Sequence, residues 1–216
     1  MSSFRQQGGN IVFLEPYDLA RVPVLFVHGA AGSPQDLAPL IAGLDRRHYQ
    51  AWLFHYPSGA ALDSMAHLLY WKLLNLQLRH RYARWAVVAH SMGGLVVRQL
   101  LAGLGPELPP PQLFVSISTP WAGEAEAELG VRHAPAVVPS WHDLRPDSPF
   151  LAALHAKPLP PALDHVLLFG HRGGYSLLRP NTDGTVTLAS QLRPEAQAQA
   201  RRVLGFDEDH MSILAA

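Results

Sequence analysis

The sequence predicts an α/β protein with a mainly parallel sheet, and two observations carry this prediction. Short apolar runs rich in Val, Leu and Phe alternate with longer helical patterns along the chain. Several of these runs are apolar throughout, as expected for strands that are buried on both faces. Strand–helix alternation of this kind favours helices packed on a parallel sheet. The length of 216 residues suits one domain, so we expect residues 1–216 to form a single unit.

The elements can be assigned in chain order. The predicted strands cover residues 11–14, 24–27, 51–54, 86–88, 113–117, 166–169 and, more weakly, 202–204. Residues 62–82 carry apolar side chains at helical spacing, and Asp63 or Ser64 is predicted to cap the start of this helix. A second helix is predicted over residues 93–104, where Gly105 and Pro106 follow in the order typical of a helix C-terminus.

Residues 119–165 depart from the simple alternation. This segment is long, and its only helical signals are weak ones over residues 122–129 and 148–156. We interpret it as a small insertion, or cap, over one edge of a functional site. An ordinary irregular loop with one packing helix explains the pattern nearly as well.

Composition excludes several classes of function. Lys plus Arg and Asp plus Glu both number 17, so the formal net charge is zero and nothing indicates a nucleic acid partner. The chain has no cysteine, which excludes disulfides, thiolate metal sites and a cysteine nucleophile. P-loop and Rossmann glycine patterns are absent, and the histidines lack the paired spacing of a zinc site. We therefore expect no metal and no cofactor.

The N-terminal stretch contains no apolar core of a signal peptide, because Glu15 and Asp18 interrupt it. No apolar run approaches the roughly 20 residues that a membrane-spanning helix needs. The sequence therefore predicts a soluble chain without a membrane-spanning segment. It leaves open an exported or membrane-associated parent protein.

The stretch "WAVVAHSMGGLVVRQLLAGLG" places Ser91 at a sharp transition from strand to helix. A serine in such a turn projects from the carboxyl edge of the sheet. The residue two positions before it and the residue two positions after it must both be small. Gly93 meets this requirement, whereas Ala89 stands where the usual pattern has glycine. A serine helix cap is the alternative. The whole context of strand, His-Ser-x-Gly-Gly and helix favours a nucleophile.

A second motif, "PVLFVHGAAGSPQDL", places His28 and Gly29 directly after an apolar strand. Gly29 permits a close turn of the backbone, and the N–H of Ala30 can then donate to an oxyanion. The N–H of Met92, at the start of the helix after Ser91, is the second candidate donor. His28 precedes the serine, so we interpret it as a structural residue that fixes this loop by hydrogen bonds.

A serine nucleophile of the strand–turn–helix type is followed in the chain by an acid and then a histidine. Asp183, in "RPNTDGTVTLASQL", is the best-placed acid, although turn chemistry alone also explains an Asp there. His210, in "GFDEDHMSIL", is the only histidine after Asp183. The other candidate acids are less well placed; they are Asp143, Asp147 and Asp164.

These stretches together resemble a known group of enzymes. "VPVLFVHGAAGSP", "VVAHSMGGLVVR", "SISTPWAG", "NTDGTVTLASQL" and "DEDHMSIL" are similar to lipases and esterases of the α/β-hydrolase superfamily, and to GPI-inositol-deacylase-like proteins. The matching stretches span residues 22–214. Some small lipases of this group carry Ala-His-Ser-Met-Gly, so Ala89 is compatible with activity.

The resemblance implies the α/β-hydrolase fold and a cofactor-free hydrolase of carboxylic esters that uses Ser91, His210 and Asp183. Some bacterial lipases of the group bind a structural calcium, but no ligand set can be matched in this sequence. Four residues are candidates for an acyl pocket, namely Leu95, Trp121, Val138 and Trp141, although the same residues suit a core. The short insertion favours short- to medium-chain esters. A serine acyltransferase or thioesterase with the same triad is the alternative, and a non-catalytic binding scaffold is a weaker one.

Overall fold

The computed structural model describes residues 9–172 and 180–216, and their centre is one seven-stranded sheet. Residues 1–8, part of the stretch predicted to lack a signal peptide, lie outside the described residues. In chain order the strands are β1 (Asn10–Phe13), β2 (Val22–Val27), β3 (Tyr49–His55), β4 (Ala86–His90), β5 (Leu113–Ile117), β6 (Asp164–Gly170) and β7 (Arg202–Phe206). Their spatial order is β1-β3-β2-β4-β5-β6-β7. Among the pairings of these seven strands, β1–β3 alone is antiparallel, so the predicted mainly parallel sheet is confirmed.

Helices connect the strands. They are α1 (Ala38–Ala42), α2 (Leu62–His80), α3 (Met92–Ala102), α4 (Ala125–His133), α5 (Pro139–Leu144), α6 (Pro149–His155), α7 (Leu188–Gln191) and α8 (Pro194–Ala198). Short 3-10 turns cover Pro34–Leu37 and Ser212–Ala215. Within the described residues, no helix is both long enough and apolar enough to cross a membrane.

The core lies on both faces of the sheet, which explains why the strands are apolar throughout. Successive side chains of a strand point to opposite faces. Leu25 and Val27 of β2 join a large cluster with residues of α2 and α3, whereas Val24 and Phe26 join a smaller cluster. The smaller cluster contains residues of α1 and of the C-terminal 3-10 turn. Burial on both faces holds β4, and hence the residue after it, in a fixed position.

The predicted ends of two helices were wrong. Helix α2 begins at Leu62 without a side-chain cap from Asp63 or Ser64. Instead, the Leu62 N–H donates to Asp143 Oδ2 at 2.8 Å, a contact between residues far apart in sequence. Helix α3 ends at Ala102 rather than at residue 104, and Gly103 is its C-terminal cap because its N–H donates to the Leu100 carbonyl.

The segment over residues 119–165 contains three helices. The weak signal over residues 122–129 corresponds to α4, shifted toward the C-terminus, and that over 148–156 corresponds to α6. Helix α5 was not predicted. Ser148 caps α6 by accepting a hydrogen bond from the Leu151 N–H at 3.2 Å. That the segment is an insertion within a single domain stays a prediction.

Candidate active site

Ser91 is the single residue between β4 and α3, and its backbone is strained. Its φ of 54° and ψ of −133° lie in a region that residues with a side chain rarely adopt. The Ser91 N–H donates to the Ile117 carbonyl of β5 at 2.8 Å, which secures the turn to the neighbouring strand. The side chain is 8% exposed at the carboxyl edge of the sheet. This is the turn that the sequence predicted for a nucleophile.

Glycines allow the backbone to pack closely around this turn. A Cβ atom on Gly93 would overlap the carbonyl oxygen of His28 and lie 2.8 Å from that of Val27. A Cβ atom on Gly29 would lie 2.8 Å from Ser91 Cβ. Both positions therefore require glycine for close packing and not for a special backbone angle.

Ala89, at the position where the usual motif has glycine, lies inside β4. It pairs with Val27 of β2 on one side and Ser116 of β5 on the other. Its side chain is fully buried in the large core cluster. The extra methyl group therefore fits without disturbing the register of the sheet.

His210 and Asp183 form a buried pair. His210 Nδ1 lies 2.7 Å from Asp183 Oδ2, and the two side chains are 12% and 0% exposed. The other oxygen of Asp183 accepts hydrogen bonds from the N–H groups of Thr185 and Val186 at 3.0 and 2.7 Å. Burial acts to raise the pKa of Asp183, but the hydrogen bonds from His210 and these N–H groups outweigh it and lower the pKa. Asp183 therefore carries a negative charge against the imidazole.

Gln191 supports the turn that holds Asp183. Its amide nitrogen donates to the carbonyls of Gly170 and Val186 at 3.2 and 3.1 Å, and its amide oxygen accepts from the Gly170 N–H at 3.2 Å. Gly170, the last residue of β6, lies so close that an added Cβ would be 3.2 Å from Asp183 Cβ. Neither residue was predicted from the sequence to belong to the site. The position of Gln191 in the quoted "NTDGTVTLASQL" stretch was its only signal.

His90 connects the loop that contains His210 to the turn at Ser91. Its Nε2 lies 2.8 Å from the His210 carbonyl oxygen, and the two rings are 4.6 Å apart between centroids. Because a carbonyl only accepts, Nε2 of His90 carries the proton. Burial lowers the pKa of His90 to about 4, which keeps this ring neutral. Among the described residues, Ser91 Oγ makes no hydrogen bond to His210, and the two residues are linked through His90, which directly precedes Ser91.

The candidate oxyanion donors lie on both sides of Ser91. Met92 is the first residue of α3, so its N–H has no partner within the helix. Ala30 lies in a tight turn that is closed by the Gly32 N–H donating to the Gly29 carbonyl at 3.3 Å. In the part of the chain that the structure describes, neither N–H donates a hydrogen bond. Both are therefore available to a negatively charged oxygen.

His28 fixes the Ala30 turn from inside. Its ring is 1% exposed, and Nδ1 lies 2.9 Å from the Gly29 carbonyl oxygen. Nε2 accepts a long hydrogen bond of 3.4 Å from the Tyr56 N–H, which places the proton on Nδ1. Burial lowers the pKa of His28, so the neutral ring persists. His28 thus has the structural role that the sequence predicted.

The other candidate acids lie apart from His210. Asp143 accepts the Leu62 N–H at the start of α2. Asp164 is the first residue of β6 and lies 3.7 Å from Arg201. Asp147 is exposed and adopts a φ of 60°. Of the four acids considered, Asp183 is the one in contact with His210.

The four candidate pocket residues fall into two groups. Leu95 and Trp121 are 0% and 1% exposed and belong to the large core cluster. Val138 is 36% exposed, and Trp141 is half-buried on α5. Leu95 and Trp121 therefore serve core packing, and an acyl pocket lined by all four stays a prediction. Within the described residues, no group of three His, Asp or Glu side chains is placed to hold a metal ion.

Solved structures of several lipases and esterases share this architecture. The mature form of Bacillus licheniformis lipase BlEst2 matches with a TM-score of 0.71 at 16% identity, over 95% of this chain and 92% of that chain. Aspergillus fumigatus lipase B matches with a TM-score of 0.65 at 15% identity, over 94% and 48% of the two chains. Legionella pneumophila phospholipase PlaB matches with a TM-score of 0.60 at 19% identity, over 79% and 45%. No family model and no curated protein sequence matches the chain. At these identities the likeness concerns the fold, which is the α/β-hydrolase fold.

Proposed function

We propose that the protein is a serine hydrolase of carboxylic esters, an esterase or lipase that works through an acyl-enzyme. One arrangement carries the proposal: a strained Ser91 between β4 and α3, linked through His90 to the buried His210–Asp183 pair. Strain of this kind has a cost in stability and is found mainly at functional sites. The lipase and esterase names of the structural neighbours agree with this reaction class.

The proposed reaction assigns one task to each residue. Ser91 Oγ attacks the acyl carbonyl while His210 Nε2 accepts its proton. His210 then delivers that proton to the departing alcohol, and the acyl group remains on Ser91. Water attacks the acyl-enzyme with His210 again as base, which releases the acid and restores the serine. Asp183 holds the His210 proton on Nδ1 and stabilises the imidazolium that forms in each step.

The developing oxyanion is the main electrostatic demand of this chemistry. We assign its stabilisation to the N–H groups of Ala30 and Met92, which have no other hydrogen-bond acceptor among the described residues. Met92 adds the partial positive charge of the α3 N-terminus. Fixed donors of this kind lower the barrier because they do not have to reorient during the reaction.

For the substrate, we propose small-molecule or lipid esters with short to medium acyl chains. The helices in the segment over residues 119–165 have at most nine residues each, so the segment offers limited cover for a long acyl chain. Water as the acceptor distinguishes this proposal from an acyltransferase with the same triad, and an alcohol leaving group distinguishes it from a thioesterase. Parallel assays with thioesters and with added alcohol acceptors separate the three.

The test is a series of p-nitrophenyl esters from acetate to palmitate, assayed with the wild type and with Ser91→Ala. We expect turnover that is highest at short to medium chain length, and loss of at least about 10³-fold in kcat in the variant. A fluorophosphonate probe should label the wild type and not the variant. Ser64→Ala, on the exposed face of α2, is the matched control and should behave as the wild type. A wild type that is neither active nor labelled would contradict the proposal.

A further inference from the structure

A short segment between β3 and α2, residues 56–61, contacts the turn that carries Ala30. Tyr56 Oη donates to the His28 carbonyl oxygen at 2.8 Å. Ser58 Oγ accepts a hydrogen bond from the Ala31 N–H at 2.9 Å. The two side chains therefore hold the backbone one residue before and one residue after the Gly29–Ala30 peptide, whose N–H is the candidate oxyanion donor.

The Ser58 contact acts on a backbone conformation that alanine disfavours. Ala31 has a φ of 51°, in the left-handed region where a side chain crowds the backbone. It is the third residue of the turn closed by Gly32 and Gly29. The common types of β-turn differ mainly in the backbone angles of their two central residues, which are Ala30 and Ala31 here. A change from one turn type to another therefore rotates the peptide between Ala30 and Ala31. An acceptor fixed opposite the Ala31 N–H selects one of these orientations.

The segment can act in this way because its other end is also fixed. The Gly59 carbonyl accepts a hydrogen bond from the Ser140 N–H of α5 at 3.1 Å. Val138 lies against Gly59, where an added Cβ would be 3.5 Å from its side chain. The Leu62 N–H, just beyond the segment, is held by Asp143 at 2.8 Å. Ser58 is therefore held by the core on one side and by the start of α5 on the other.

We propose that Ser58 is a positioning residue for the oxyanion hole. Its hydroxyl holds Ala31 in the left-handed conformation, and thereby aims the Ala30 N–H at the oxygen of the tetrahedral intermediate. The inference rests on the proposed function. It adds a residue that makes no contact with the reacting atoms but acts through the backbone of the donor. Tyr56 secures the same turn at its other end.

The experiment compares Ser58→Ala with Ser58→Thr, which keeps a hydroxyl acceptor. We measure kcat and KM for p-nitrophenyl butyrate, and the inhibition constant of an alkylboronic acid, which forms a tetrahedral adduct with an active serine. Ser58→Ala should lower kcat about tenfold and leave KM within about twofold, because a displaced donor weakens transition-state binding and not substrate binding. The inhibition constant should rise by a similar factor. Ser58→Thr should retain most of the activity, and Ser64→Ala should match the wild type.

Three results would overturn the inference. The first is a Ser58→Ala kcat equal to that of the wild type. The second is an equal loss in Ser58→Thr, which would make the hydroxyl irrelevant. The third is a fall in kcat accompanied by a drop of more than a few degrees in the melting temperature, which would indicate general destabilisation. All three presuppose an active wild type. A wild type without turnover and without fluorophosphonate labelling is the distinct failure of the proposed function, and the inference falls with it.

Discussion

At the scale of single residues, the Asp183 carboxylate contributes both to the local fold and to the proposed chemistry. One oxygen closes its own turn through two backbone N–H groups, and the other oxygen faces His210 Nδ1. The backbone N–H of His210 also donates to the backbone carbonyl of Asp183 at 2.7 Å, so the two residues are joined through both their backbones and their side chains. Removing the charge should therefore disturb the chemistry more than the local structure.

Asp183→Asn tests this separation. The amide can keep the backbone hydrogen bonds through its oxygen, but its NH₂ group would face His210 and favour the wrong tautomer. We expect kcat to fall by about 10³- to 10⁴-fold, by analogy with the effect of the same change in other triads. Ester turnover with p-nitrophenyl butyrate measures it. Asp147→Asn is the matched control, because Asp147 is exposed and Asn tolerates its left-handed backbone. A larger loss in the control than in Asp183→Asn would move the acid into the 119–165 segment.

At the scale of elements, the junction of β4 and α3 depends on close backbone contact. The first turn of α3 lies against the carbonyl groups of Val27 and His28 at the end of β2. A backbone carbonyl cannot rotate away as a side chain can, because its strand is held on both sides. The start of α3 thus sets the distance between Ser91 and the Ala30 turn.

Gly93→Ala should show how tightly this distance is set. The added methyl overlaps the His28 carbonyl oxygen, so either α3 or the Ala30 turn must move. We expect a loss of about 3 kcal/mol in the free energy of unfolding, from urea denaturation, together with loss of esterase activity. Gly103→Ala, at the other end of α3, is the control. Its nearest contact would be 3.8 Å away, so stability should change little. Equal stability of the two variants would show that the junction is not tightly packed.

At the scale of the whole molecule, buried ionisable groups set the response to pH. Burial lowers the pKa of His165, on β6, to about 4, as it does for His90. The folded state therefore binds fewer protons than the unfolded state between the ordinary histidine pKa of 6.5 and about 4, and stability falls as pH drops through this window. Glu124 acts in the opposite sense. Burial raises the pKa of Glu124 to about 7, so Glu124 increasingly destabilises the folded state as pH rises from 4.5 to about 7.

His165→Asn isolates one of these contributions. The imidazole is 1% exposed and contacts Ser116 Oγ at 2.9 Å. Between pH 7.5 and pH 5, the wild type should lose about 2 kcal/mol more stability than the variant, because its unfolded state gains a proton on this histidine while the buried ring of the folded state stays neutral. Urea denaturation at both pH values measures the difference. His133→Asn, at an exposed position on α4, should follow the wild type. An identical loss in His165→Asn and the wild type would contradict the assignment.

The sheet and the order of the candidate residues were predictable because both depend on local patterns. Buried parallel strands read as continuous apolar runs, and the Ser91 turn needs glycine within two residues of it. The support of the site was not predictable from such patterns. Asp143 caps α2 from 81 residues away, and Ser58 reaches Ala31 across 27 residues. A serine or an aspartate in a loop has many partners available, and only the assembled fold selects one.

Strand β7 lies at one end of the described sheet, paired through β6 alone, and His210 follows it directly. Every tryptophan of the chain occurs before residue 142, upstream of both strands. Opening of an edge strand requires less free energy than unfolding of the central strands. His210 can therefore detach while the buried tryptophans, Trp52, Trp85 and Trp121, stay packed in the core. Intrinsic fluorescence would report such a molecule as native, so a sample can give the fluorescence of the folded protein although His210, the proposed base, is displaced.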